Sequence, residues 1–143
     1  MTPTQEKYLL VIDKLSKDKK LVRNRQVADI LEVKPSSVTE IMDRLVNQNM
    51  IQHISYQGVF LTSSGEEQVA LLKERRLILS TFLTSYLGIS RTEAPEIINE
   101  LLQIHSSLFF ERLKCYIEQE TIESRIQYDK YFSKNKLEWQ QFF

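Results

Sequence analysis

Between Lys34 and Arg44 the chain sets short hydroxyls, a carboxylate and two cations at helical spacing: Lys34, Ser36, Ser37, Thr39, Glu40 and Arg44. Val38, Ile41, Met42 and Leu45 fall at i, i+3, i+4 and i+7, an apolar stripe, while Ser36, Glu40, Asp43 and Asn47 fall opposite it. Such groups on the outer face of a helix do no covalent chemistry alone. What they can do is hydrogen-bond phosphate oxygens and base edges. Pro35 suits the first helical position, where its missing N–H is harmless, and it puts Ser36, Ser37 and Thr39 in an opening turn expected to have free backbone donors. Lys34, Pro35, Ser36, Ser37, Thr39, Glu40 and Arg44 are therefore the candidate DNA contacts. A second group of bases, Lys14, Lys17, Lys19, Lys20, Arg23 and Arg25, crowds into twelve residues. Alone, such a run reads equally as a solvated loop; beside a reading helix, Lys19, Lys20 and Arg25 are expected to grip phosphates.

These side chains need a scaffold, and the flanking pattern supplies one. Val27–Leu45 holds two short amphipathic runs separated by Glu32-Val33-Lys34, a turn too short for a strand, which reads as a helix-turn-helix. Ile51 to Ile54 and Val59 to Leu61 bracket Ser55-Tyr56-Gln57-Gly58, where Gly58 can take the positive φ of a tight hairpin. That hairpin is a wing, with Tyr56 and Gln57 at its tip as further DNA contacts. Upstream, Thr2-Pro3-Thr4-Gln5 resembles a capping box for a first helix whose inner stripe is Tyr8, Val11, Ile12 and Leu15. Asn24 is the expected N-cap of the second helix, with Val27, Ile30 and Leu31 facing inward and Ala28 small enough to admit the next helix.

After the wing, Thr62-Ser63-Ser64-Gly65 offers a cap for a helix to about Leu87, stopped at Gly88, whose apolar residues run on for too many turns to be buried by one small domain. Ser90-Arg91-Thr92-Glu93 opens another through Ile97, Ile98, Leu101 and Leu102. Ser106-Ser107 breaks it, and two more helices are expected, one around Leu108 to Tyr116 and one from about Thr121 to Phe132. Leu137, Trp139, Phe142 and Phe143 should dock on the core or a partner subunit. The expected fold is mainly α with a small β-hairpin: a winged helix-turn-helix over 1–62, a linking helix over 63–87 and a helical dimerisation domain with an aromatic tail over 88–143.

A 143-residue chain that is 42% hydrophobic and 27% charged can bury a real core. It has no apolar run long enough for a membrane span and no visible export signal, so a cytoplasmic location is expected. The single cysteine, Cys115, cannot form an internal disulfide and reads as a core thiol. Net charge is zero, but residues 1–62 carry nine Lys and Arg against seven Asp and Glu. No nucleophile elbow, phosphate loop or paired-ligand motif appears, so no enzyme is expected.

At Val33-Lys34-Pro35-Ser36-Ser37-Val38-Thr39, at Tyr56-Gln57-Gly58-Val59-Phe60-Leu61-Thr62 and at Gly65, the chain resembles the diphtheria-toxin-repressor family, most of all its short, two-domain manganese-transport-regulator branch. The resemblance covers roughly residues 4–120. It implies a repressor that binds double-stranded, pseudo-palindromic operator DNA as a homodimer, switched by a divalent metal, with recognition-helix contacts matching Lys34, Ser36, Ser37, Thr39 and position 40. Glu40 departs from the family's amide or lysine there. The positions matching the family's metal ligands are Lys7, Leu10, Arg76, Glu100, Gln103 and Ile104, and only Glu100 retains a ligand oxygen suited to the task. Leucine and isoleucine have no donor atoms and two cations repel a divalent ion, so no cofactor is expected. Manganese, iron or zinc at a remote site using His53, His105 or Cys115 is the alternative.

Two other functions fit parts of the pattern. Regulators of the multiple-antibiotic-resistance type, which sense small ligands, also end a wing in Leu-Thr-x-x-Gly, but they place dimerisation helices before the helix-turn-helix, where this chain has only one helix. A winged helix can also bind protein, and an interaction module would lack a salt-dependent affinity for DNA.

Overall fold

The structure, a computed structural model, describes residues 1–131. It is mainly helical with one antiparallel hairpin. The order is α1 (Pro3–Leu15), α2 (Asn24–Leu31), α3 (Pro35–Asn47), β1 (Ile51–Ile54), β2 (Gly58–Leu61), α4 (Ser63–Thr81), α5 (Ala94–Leu101) and α6 (Ser107–Tyr131). A 3-10 turn at Lys17–Lys19 follows α1, and a π turn at Phe82–Tyr86 extends α4. The chain divides into two compact units, with the boundary between Arg76 and Leu77. The expected tail residues Leu137, Trp139, Phe142 and Phe143 lie outside the described residues.

The first unit is organised by three helices and the hairpin. Tyr8, Leu9 and Ile12 of α1, Val27 and Ala28 of α2, Val38, Met42 and Leu45 of α3, Ile51 and Val59 of the hairpin and Val69 of α4 form one buried cluster. Burying side chains of this kind contributes about 1.5–3 kcal/mol each, so α3 is held firmly from behind. The N-terminus of α1 has the expected capping box: Gln5 N donates to Thr2 Oγ1 and Thr2 N to Gln5 Oε1. Burial pushes the Tyr8 phenol above its ordinary pKa, so it sits in the core uncharged. An ion pair of 2.6 Å between Lys73 and Asp13 ties α4 to α1.

Two local expectations fail here. Asn24 is the first helical residue of α2, not its cap; Arg23 holds the cap position, and its N–H donates to Gln26 Oε1 at 2.9 Å. Ile30 is 43% exposed, because the buried face of this two-turn helix is already taken by Val27 and Ala28.

The hairpin pairs Ile51 with Leu61 through to Ile54 with Gly58. Val22 adds a third edge: its N–H and carbonyl exchange bonds of 2.9 and 2.8 Å with Val59. A Cβ on Gly58, whose φ is +133°, would stand 2.6 Å from the Val22 carbonyl oxygen, so glycine is what allows that approach. At the other end of the hairpin Thr62 Oγ1 accepts from Gly65 N as the cap of α4, and donates to the Asn49 carbonyl at 2.6 Å.

In the second unit Leu79, Leu83, Ala94, Ile98, Leu102 and Phe110 make a separate core, flanked by Phe82, Ile89, Ile97, Leu101, Ile104 and Leu113. Gly88 stops the preceding helix with φ +67°. The Ser90 hydroxyl accepts from Glu93 N and donates to the Glu93 carboxylate at 2.7 Å, a variant of the expected box one turn ahead of α5. The two helices expected after Ser106 are one, α6, since Ile117 to Glu120 contains nothing that breaks a helix. Cys115 is exposed on α6, not a core thiol.

Candidate nucleic-acid interface

The turn between α2 and α3 is made by Glu32, which caps α2 in the left-handed conformation (φ 53°), and by Val33, whose N–H returns to the Ala28 carbonyl. Lys34 is extended, as a residue before proline must be, and α3 starts at Pro35. Ser36, Ser37, Thr39, Glu40, Asp43, Arg44 and Asn47 are all exposed, while Val38, Met42 and Leu45 are buried and Ile41 half-buried. The helix therefore offers a continuous polar face on a fixed apolar base.

Several polar groups of that face already have partners. The amides of Ser37 and Val38 bond the Lys34 carbonyl at 3.0 and 3.3 Å, so the opening turn has fewer free donors than its composition suggests. Thr39 Oγ1 donates to the Pro35 carbonyl and accepts from Asn24 Nδ2 at 3.3 Å. Asn24 thus fastens the start of α2 to the middle of α3 across the helix-turn-helix, a positioning role that a reading of Asn24 as a cap conceals. Only the packing angle of the two helices brings residues fifteen apart into reach, which is why local sequence gives no sign of it. Glu40 Oε1 accepts from Arg44 Nη2 at 2.6 Å, the i, i+4 arrangement with the acid on the N-terminal side. Exposed pairs of this kind contribute only about 0–1 kcal/mol, so the pair can rearrange at little expense.

Tyr56 stands at the hairpin tip, fully exposed, with φ 61° in a turn closed by the Gln57 N–H to the Ile54 carbonyl. Gly58 takes the positive φ expected of it (133°), and Tyr56 adds a left-handed position, a conformation that costs such a residue roughly 1–2 kcal/mol. Strain of this sort collects where a side chain is held out for use. The Val22 bridge to Val59 sets the chain between Lys20 and Arg23 beside β2 of the hairpin. Lys14, Lys17, Lys20, Arg23 and Arg25 are exposed; the side chain of Lys19 lies outside those described.

Residues 1–59 match the N-terminal DNA-binding domain of iron-dependent repressors. The N-terminal part of this chain is thus similar to the DNA-binding domain of that family. Among proteins similar to this chain is the helix-turn-helix-type transcriptional regulator MntR of Listeria monocytogenes, 35% identical over 83 residues, covering 58% of each chain. An uncharacterised helix-turn-helix-type regulator of Methanocaldococcus jannaschii is 28% identical over 68% of this chain and 78% of its own. Among solved structures, the metal-dependent transcriptional regulator MtsR superposes with a TM-score of 0.74 at 26% identity, covering 82% of this chain and 55% of its own. ScaR with bound zinc gives 0.73 at 27%, covering 80% and 53%. The chain thus spans little more than half the length of MntR and of these solved regulators.

The positions where the family resemblance puts metal ligands hold an unsuitable set. In the first unit Lys7 is exposed, Leu10 packs against the core and Arg76 is half-buried; in the second Glu100 is exposed, Gln103 Nε2 donates to the Asn99 carbonyl at 3.3 Å and Ile104 packs against its own core. Two hydrocarbons and two cations do not fit a divalent ion. Among the described residues no three His, Cys, Asp or Glu side chains are grouped to hold one. No described helix is long and apolar enough to cross a membrane.

Proposed function

We propose that this protein is a sequence-specific DNA-binding transcription repressor that acts as a homodimer on pseudo-palindromic operators and is not switched through its family's usual divalent-metal positions. The observation that carries the reading is the exposed face of α3 in a domain similar to that of the iron-dependent-repressor family: Ser36, Ser37, Thr39 and Glu40 at its start, Lys34 and Arg44 at its borders, and a buried stripe behind. Tyr56 and Gln57 of the wing, with Lys19, Lys20 and Arg25, supply sequence-independent phosphate contacts beside it. Similar solved proteins include ScaR with bound zinc and the manganese regulator SloR. Here the corresponding donor set does not suit such an ion, which supports a DNA-binding form that does not use those positions to hold one.

A homodimer is supported by α6. Leu108, Cys115 and Ile122 recur every seven residues with Phe109 and Tyr116 alongside, opposite the face that buries Phe110, and Leu108 and Ile122 are about 60% exposed. Such a stripe suits a second helix of the same kind. Two copies of α3 would then read two half-sites.

Salt dependence tests the DNA-binding reading against a protein-interaction module. Lys19→Ala with Lys20→Ala should weaken binding to all duplexes alike and lower the slope of log affinity against log salt by about 1.8, since each phosphate contact contributes about 0.9. An unchanged slope returns those lysines to the solvated-loop reading, and no salt-dependent DNA binding by the wild type overturns the function itself.

A further inference from the structure

On the footing that α3 is a DNA-reading helix, the Glu40–Arg44 pair stands where base edges would be met. The two side chains stand one turn apart on the exposed face, joined through Oε1 and Nη2 at 2.6 Å, with 65% and 55% of their surfaces open. That bond uses one carboxylate oxygen and one N–H. Glu40 Oε2 still accepts, and the guanidinium still has N–H groups in a planar fork. Side by side, the pair presents an acceptor followed by a row of donors.

The major-groove edges of the base pairs can be compared with that order. A C·G pair read from cytosine to guanine offers the N4 donor, then the O6 and N7 acceptors, the complement of the ion pair. The reversed pair sets an acceptor against the carboxylate. An A·T pair flanks its N6 donor with the N7 acceptor, which repels Glu40, and gives Arg44 only the thymine O4 beside a methyl group. The pairing also explains how a carboxylate can face a polyanion, because Arg44 cancels its charge before the helix meets DNA.

We infer that Glu40 and Arg44 form one reading unit for a single C·G pair in each half-site, cytosine on the Glu40 side and guanine on the Arg44 side. Neither side chain serves the core, so substitution leaves the fold intact, which thermal unfolding of each variant checks.

The test uses the full chain and a pool of double-stranded DNA with a randomised segment. A duplex recovered by the wild type is then assayed with each of its single base-pair substitutions. The wild type should show a C·G requirement at one position, repeated symmetrically, worth about tenfold or more. Glu40→Gln should move the preference at that position toward A·T, because an amide matches adenine N6 and N7, and should leave the other positions as they were. Arg44→Lys should flatten the preference there by losing the fork. If Glu40→Gln keeps the wild-type base profile, or if both variants weaken every duplex equally, the reading unit does not exist and the pair serves phosphates or the helix alone. If the wild type recovers no sequence while remaining folded, the DNA-reading assignment of α3 falls and this inference with it.

Discussion

Gly65→Ala should unfold the first unit well below the temperature at which the wild type melts, with a loss on the order of 3 kcal/mol or more, as overpacking against an immovable neighbour costs. An added Cβ would lie 2.0 Å from the Met50 carbonyl oxygen. Backbone, not a flexible side chain, stands in the way, and that carbonyl already accepts from Thr62 N. The same few residues join the end of α3, the hairpin and the start of α4, so displacing Met50 disturbs the seat of α3. Differential scanning calorimetry of wild type and variant measures the effect. A shift of less than a degree or two would show that α4 does not sit on the hairpin as described. Ser64→Ala, at an exposed neighbouring position, is the control and should melt as the wild type does.

On the proposed homodimer, Leu108→Lys with Ile122→Lys should give a monomer and weaken operator binding about 100-fold or more. Both side chains are exposed on α6, so the folded protomer tolerates lysine there. A dimer that buries them does not, since each unpaired ammonium taken from water costs several kcal/mol after relaxation. The loss of operator affinity follows because one α3 and one wing contact too few base pairs, and each mismatched pair costs about 1–3 kcal/mol, nearly additively. Sedimentation at micromolar concentration, together with affinity for a full operator and for a half-site, checks both parts. A variant that remains dimeric places the interface elsewhere; a monomer that binds the full operator as tightly as the wild type overturns the two-copy reading.

Much of this architecture was legible in the sequence because its signals are local. Pro35 marks the start of α3, the Val38-Met42-Leu45 spacing marks its buried side, and the turn residues between Ile54 and Val59 mark the wing. The misreadings came where local pattern and tertiary packing part company. Asn24 is a good cap by type, yet its amide is used on Thr39; Ile30 has the right period, yet α2 is too short to bury a second face. α5 already ends at Leu101 and Ser107 opens α6, so the break lies ahead of the expected Ser106-Ser107, whereas the expected gap near residue 120 does not exist, because polar helix formers look like a loop when hydrophobicity alone is followed. The candidate contacts of α3 could be named from type and spacing. That Glu40 meets Arg44 depends on rotamers, and that the chain between Lys20 and Arg23 lies beside the hairpin depends on the Val22 pairing, which two apolar residues thirty-seven positions apart do not announce.

DNA binding without the family's metal is what most directly distinguishes the proposed repressor. Operator affinity of the full chain is to be measured in excess chelator and then with manganese, iron(II) or zinc added to the same preparation. The account predicts tight, salt-dependent binding in chelator and the same affinity, within about twofold, with each metal; an effector-coupled regulator instead gains about 5–150-fold. Binding that appears only when a metal is added would contradict it.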